Sequence, residues 1–202
     1  FDVATGRSLW HQRLGDHFTY APQTFGEGFA VQGFDKLSAE GYHLYLLDPK
    51  GQAARRFALF GLPKRATAWA HGSHTLDRGI NSFATSPDVT WIAAAGDLGL
   101  AVWTRDGELR WHLKNAQDPI GANRIRRWLF ATDANTLLTA SGTLVTAHSA
   151  VDGQQLWKLE VAPIGSITGG QLSADGKTLV LKTDTDGGRA IVVPDQKVVS
   201  TI

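Results

Sequence analysis

Asp2-Val3-Ala4-Thr5-Gly6-Arg7-Ser8-Leu9-Trp10 is a phrase that this chain writes again as Asp106-Gly107-Glu108-Leu109-Arg110-Trp111 and as Asp152-Gly153-Gln154-Gln155-Leu156-Trp157. Shorter copies without the tryptophan stand at Asp48-Pro49-Lys50-Gly51 and Pro194-Asp195-Gln196-Lys197. Gly6 is followed by Gly51, Gly107 and Gly153 at intervals of 45, 56 and 46 residues. Self-similarity at about 40 to 50 residues marks an array of small sheets, each too thin to bury its apolar face alone. Glycine after Asp or Thr admits the positive φ of a tight hairpin turn.

Around each phrase the chain breaks into short apolar runs separated by turn residues. Residues 80–114 read most clearly. Asn81–Thr85 is a first strand, and Ser86-Pro87-Asp88 a turn. Trp91–Ala95, Leu100–Thr104 and Leu109–Leu113 follow, with turns at Gly96-Asp97 and Asp106-Gly107. Four antiparallel strands joined this way make one propeller blade. Residues 17–60, 124–161 and 166–202 repeat the plan, the first of these with a strand over Phe18–Thr24. The last two strands of a further blade occupy residues 1–14. The expected fold is therefore all-β: a β-propeller of about four complete blades and a half blade. A half blade leaves open edges, so the chain reads as a segment of a larger propeller. Residues 61–79 are an inserted loop, and loops between blades are where binding residues gather. No stretch has helical periodicity.

Composition agrees with a globular β protein. Of 202 residues, 43% are hydrophobic and 19% charged, the formal charge is +1, and there are 22 glycines and 7 tryptophans. A nearly neutral chain presents no global field for nucleic acid. No apolar run approaches the length needed to span a bilayer. Without cysteine, disulfides, thiolate metal sites and a cysteine nucleophile are excluded within this stretch.

The phrase resembles the tryptophan-docking motif of the quinoprotein (PQQ-type) β-propeller family: Asp, two residues, Thr-Gly, three residues, Trp, then Leu-Gly. Asp2, Thr5, Gly6, Trp10, Leu14 and Gly15 match it in place. Asp106, Gly107 and Trp111, and Asp152, Gly153 and Trp157, match it with Asp for Thr. The resemblance implies that Trp10, Trp111 and Trp157 lie on outermost strands and dock against neighbouring blades, with Gly6, Gly107 and Gly153 in the turns before them. Burying such a ring contributes about 2–3 kcal/mol. It also implies an extracytoplasmic location. Enzymes of the family hold PQQ and a calcium ion, often beneath a disulfide of adjacent cysteines. This chain lacks cysteine, and no carboxylate and amide set in it aligns with the calcium ligands, so no cofactor is assigned. The expected function is a non-catalytic scaffold that binds a ligand, a protein partner or the remaining blades. The alternative is part of a PQQ-dependent alcohol or sugar dehydrogenase.

Three clusters bear chemistry. His71, His74 and Asp77, in the inserted loop, offer two imidazoles and a carboxylate at a spacing that suits zinc or copper. They raise a further alternative, a metal-dependent hydrolase. Arg124 and Arg126 share a face by strand alternation on a predicted innermost strand, where their guanidiniums suit an anionic ligand. Asp184-Thr185-Asp186-Gly187-Gly188 lacks the later ligands of a calcium loop and reads as a hairpin turn. Ser86-Pro87-Asp88 and Ser173-Ala174-Asp175-Gly176 occupy equivalent turns, so their recurrence speaks for geometry.

Overall fold

The computed structural model describes residues 17–18, 23–34, 42–50, 52–58, 80–96, 99–114, 128–161, 166–184 and 187–201. The chain divides into two compact units, Phe1–Gly79 and Ile80–Ile202. The described residues form four antiparallel sheets and no helix.

The first unit holds β1 (His17–Phe18), β2 (Gln23–Phe25), β3 (Gly28–Phe34), β4 (Tyr42–Leu47) and β5 (Ala53–Ala58). β1 and β2 both pair with β3, and β4 and β5 follow in order. Of the strand expected over Phe18–Thr24, the described residues belong to β1 and β2, both on the same edge of β3. Val31, Tyr45 and Leu47 pack together with Phe29 beside them. Gly28 lies so close to the Leu47 carbonyl that no Cβ fits there. Asp48 closes the β4–β5 turn by accepting from the amides of Lys50 and Gln52, at 2.9 and 2.8 Å.

The second unit contains three meanders of four strands. The second sheet is β6 (Ile80–Thr85), β7 (Trp91–Gly96), β8 (Gly99–Thr104) and β9 (Leu109–Lys114). The third is β10 (Trp128–Ala131), β11 (Thr136–Ser141), β12 (Leu144–Ser149) and β13 (Gln155–Glu160). The fourth is β14 (Ile167–Leu172), β15 (Thr178–Thr183), β16 (Gly188–Val192) and β17 (Lys197–Thr201). Each pairs strictly in sequence order. Ser173 opens the β14–β15 turn, and its hydroxyl donates to Asp175 and accepts from the Thr178 amide.

Two apolar layers join these three sheets. Trp91, Ala93, Leu100, Val102 and Trp111 of the second sheet meet Leu129, Leu137 and Ala150 of the third. On its other face the third sheet places Leu138, Ala140, Val145 and Ala147 against Ile167, Leu179, Leu181 and Ile191 of the fourth. A strand buried on both faces has no polar alternation, and Trp91-Ile92-Ala93-Ala94-Ala95-Gly96 of β7 has none and is buried throughout. β15 differs. Leu179, Leu181 and Thr183 are buried while Val180 and Lys182 are exposed, as in a sheet covered on one side.

The last strand of every sheet carries a bulge at the same register. Leu46 pairs with Arg55 and Leu47 with Ala53, skipping Ala54. In the same way Arg110 is skipped between Trp111 and Leu109, Leu156 between Trp157 and Gln155, and Val199 between Ser200 and Val198. An extra residue reverses the in-and-out alternation. Leu109 therefore sits opposite Trp103, whereas Trp111 sits opposite Val102, on the face that meets the third sheet. Skipped residues stand off the ladder, and this accounts for Leu156 and Val199 being about half exposed, at 51% and 54%.

Among the described residues, two that are not glycine occupy the left-handed region: Val89 at φ 63° and Gln196 at φ 51°. Gln196 holds the turn position taken elsewhere by Gly107 and Gly153, and Val89 the position of Gly176. Val89 N and Gly176 N donate to Ser86 O and Ser173 O, at 3.0 and 2.9 Å. The left-handed conformation costs an L-residue about 1–2 kcal/mol, most for a β-branched one. Val89→Gly is expected to raise stability by about 1 kcal/mol. Urea unfolding measures this, and a lowered midpoint would refute it.

Candidate functional site

The turns that start and finish each meander lie at one end of its sheet, because antiparallel strands reverse direction at every turn. Backbone hydrogen bonds tie them in pairs: Arg105 N to Thr90 O at 2.9 Å, Ala150 N to Asn135 O at 2.7 Å, and Val193 N to Lys177 O at 2.8 Å. These turns expose Asp88, Asp106, Glu108, Asp133, Asp152, Asp175 and Asp195, against Arg105, Lys177 and Lys197. Among the described residues the turn end is thus rich in carboxylate.

Several of those carboxylates bind their own turns. Asp175 Oδ1 accepts from Ser173 Oγ at 2.6 Å and from Lys177 N at 3.1 Å. Asp88 accepts from Thr90 Oγ1 at 2.9 Å, and Asp152 Oδ1 accepts from Gln154 N at 3.1 Å. Hydrogen bonds to the ionised form hold a carboxyl below its ordinary value. For Asp175 the Ser173 hydroxyl dominates, followed by the Lys177 amide. For Asp152 it is the Ser149 hydroxyl, then the Gln154 amide. For Asp88 partial desolvation acts upward, and the bonds from Ser86 and Thr90 together outweigh it.

Indole N–H groups link one sheet to the next. Trp91 Nε1 donates to Ala134 O at 2.7 Å, and Trp111 Nε1 donates to Ala150 O at 3.1 Å, both from the second sheet to the third. Arg110 Nη1 reaches the same Ala150 carbonyl at 3.4 Å. In return Leu129 N donates to the buried Ser82 Oγ at 3.1 Å. Trp128 Nε1 donates to Ile167 O at 3.3 Å, from the third sheet to the fourth. The Trp111 ring also lies on Gly153: an added Cβ there would stand 2.8 Å from Trp111 Cδ2. Buried His148 is a further neighbour of that ring, with ring centroids 6.1 Å apart.

The expected site residues separate accordingly. Trp111 and Gly153 are brought into contact, and Gly107 and Gly153 close turns at φ 90° and 78°. Trp157 packs, half-buried, on the apolar layer between the third and fourth sheets. Trp10, Gly6, His71, His74, Asp77, Arg124 and Arg126 lie outside the described residues. Among the described residues no group of three or more His, Cys, Asp or Glu side chains could hold a metal ion. Trp91, Trp128 and Ser82 carry inter-sheet bonds that reading the repeated phrase did not find, because they stand outside it. For the two tryptophans the signal is a polar-tipped aromatic at a strand end, where its N–H reaches the next sheet's backbone.

No family model matches this chain, and no curated protein matches it.

Two predictions follow from this geometry. Gly142 and Gly153 both have positive φ, but nothing lies within 4 Å of a Cβ at Gly142. Gly142→Ala should cost only the backbone term of about 1 kcal/mol, and Gly153→Ala clearly more, since it displaces Trp111. Equal losses in denaturant unfolding would show that the indole contact contributes nothing. The second prediction concerns acid. Carboxyls depressed on folding add stability that is present above their ordinary value of 3.8 and is lost as pH falls through the lower folded values. Joint replacement of Asp88, Asp152 and Asp175 by Asn should flatten the decline of melting temperature below pH 4 (about the unfolded carboxyl value). An unchanged acid slope would locate it in other groups.

Proposed function

We propose that this chain is a binding scaffold: a segment of a β-propeller of the PQQ-like repeat type that displays a surface to a protein or ligand and performs no chemistry itself. The reading is carried by one observation, the identical register of the bulge in all four sheets. A motif repeated at one register in every sheet serves packing, since a unique reaction centre has no need to recur. The donation of Trp91, Trp111 and Trp128 to backbone carbonyls of the following sheet supports the same reading. So does the involvement of Asp88, Asp152 and Asp175 in their own turns. Fold alone does not assign function; the scaffold reading rests on how these side chains are engaged. Under it the sheets form a rigid frame and the face loops, residues 61–79 included, contact the partner. An extracytoplasmic location belongs to the same proposal.

The test is native mass spectrometry of the polypeptide isolated from its source, with dye-linked alcohol oxidation assayed in parallel after adding PQQ and calcium. The expected result is a stoichiometric complex with a protein or ligand and no dye reduction. Dye reduction that depends on PQQ would replace the scaffold reading with the dehydrogenase one.

A further inference from the structure

We propose that the turns of the second unit guard its Asp-Gly pairs against conversion to isoaspartate, so that this modification reaches them through unfolding. Three of the chain's four Asp-Gly pairs, Asp106-Gly107, Asp152-Gly153 and Asp175-Gly176, are among the described residues, and all three aspartates are exposed. Asp186 of the fourth pair lies outside them.

An Asp-Gly pair is prone to this reaction because glycine puts no side chain in the way of the attacking nitrogen. The glycine amide nitrogen bonds to Asp Cγ. Its proton leaves with the carboxyl OH as water, and a succinimide ring remains. Water then reopens the ring. Opening at the side-chain carbonyl restores aspartate. Opening at the main-chain carbonyl leaves the backbone running through the side chain, one methylene longer. Water is the sole reactant, lost in the first step and regained in the second.

The turns oppose the first step in two ways. The nitrogen must give up its proton to attack, and each of the three protons is engaged. Gly107 N donates to Thr104 O at 3.0 Å, Gly153 N to Ser149 O at 2.9 Å and Gly176 N to Ser173 O at 2.9 Å. Such a proton is released only when the turn opens. The carboxyl must also swing Cγ onto the nitrogen. Asp152 Oδ1 is held by Gln154 N at 3.1 Å, and Asp175 Oδ1 by Ser173 Oγ at 2.6 Å and Lys177 N at 3.1 Å, which keeps each side chain in one rotamer. These bonds favour the ionised carboxyl as well, whose oxygen is the poorer leaving group.

At Asp152 the guard protects the seat of Trp111. A Cβ on Gly153 would stand 2.8 Å from Trp111 Cδ2. A methylene added just before Gly153 displaces the turn that fits this ring, so a chain isomerised at Asp152 while unfolded refolds with the seat spoiled.

Peptide mapping of the intact chain, held for weeks at neutral pH with and without guanidinium chloride, tests the proposal. Isoaspartate is recognised by electron-transfer fragmentation and by resistance to a protease that cuts before Asp. All three sites are expected to isomerise about tenfold or more slowly in the folded chain than in the unfolded one. Ser173→Ala removes the hydroxyl from Asp175 and leaves the backbone bond to Gly176. It should speed Asp175 about fivefold while Asp152 keeps its rate, which separates a local effect from a loss of global stability. Equal rates in the folded and unfolded chain would overturn the proposal, and so would an Asp175 rate that Ser173→Ala leaves unmoved. If Ser173→Ala does not fold, the comparison of folded and unfolded chain decides alone.

Discussion

The structure of the Ile80–Ile202 unit depends on a change of phase in the last strand of each sheet. A two-residue alternation fixes which side chains face inward, and the bulge between the turn and the tryptophan reverses it. Trp111 is thereby turned from the Trp103 side of the second sheet to the Val102 side. A buried indole N–H without an acceptor carries a desolvation penalty of about 1–3 kcal/mol, and the Ala150 carbonyl, exposed by its own turn, removes it. Gly153 completes the fit. It closes that turn at positive φ and lacks the Cβ that would strike the ring. The copy of the phrase at residues 152–157 thus receives the tryptophan of the copy at residues 106–111. This handover from the second sheet to the third gives Trp111 and Gly153 a shared packing reason.

The handover explains why strand positions were legible in the sequence and why the bonds between sheets were not. Hairpin turns have local chemistry, so Ser86-Pro87-Asp88, Asp106-Gly107 and Asp152-Gly153 located their strands to within one or two residues. The bulge was invisible for a deeper reason: pairing register is a relation between two strands, and a single strand's composition does not contain it. The same holds for Trp91 and Trp128, whose acceptors lie 43 and 39 residues away. The clusters proposed from the sequence, His71 with His74 and Arg124 with Arg126, fall outside the described residues, so the functional part of the reading rests on their chemistry alone.

Comparison by register separates what the fold requires from what it tolerates. The row that ends in the docking position reads Ala84, Ala93, Val102, Trp111 in the second sheet and Phe130, Leu138, Ala147, Trp157 in the third. In the fourth it reads Gln171, Val180, Ala190, Ser200. The two interior members stay small or aliphatic in all three, since they lie on paired central strands. The two outer members change from apolar to polar only in the fourth, the sheet whose middle strand is exposed on that side. The turn before it changes too, with Gln196 accepting a left-handed φ that Gly107 and Gly153 adopt without strain. Glycine is required at Gly153, where the turn seats the Trp111 ring. The next turn carries Gln196 although the sheet before it still carries Trp157, so the glycine and the tryptophan of the phrase vary independently. In a frame built from equal repeats, the positions free to serve a partner are those that packing has ceased to specify.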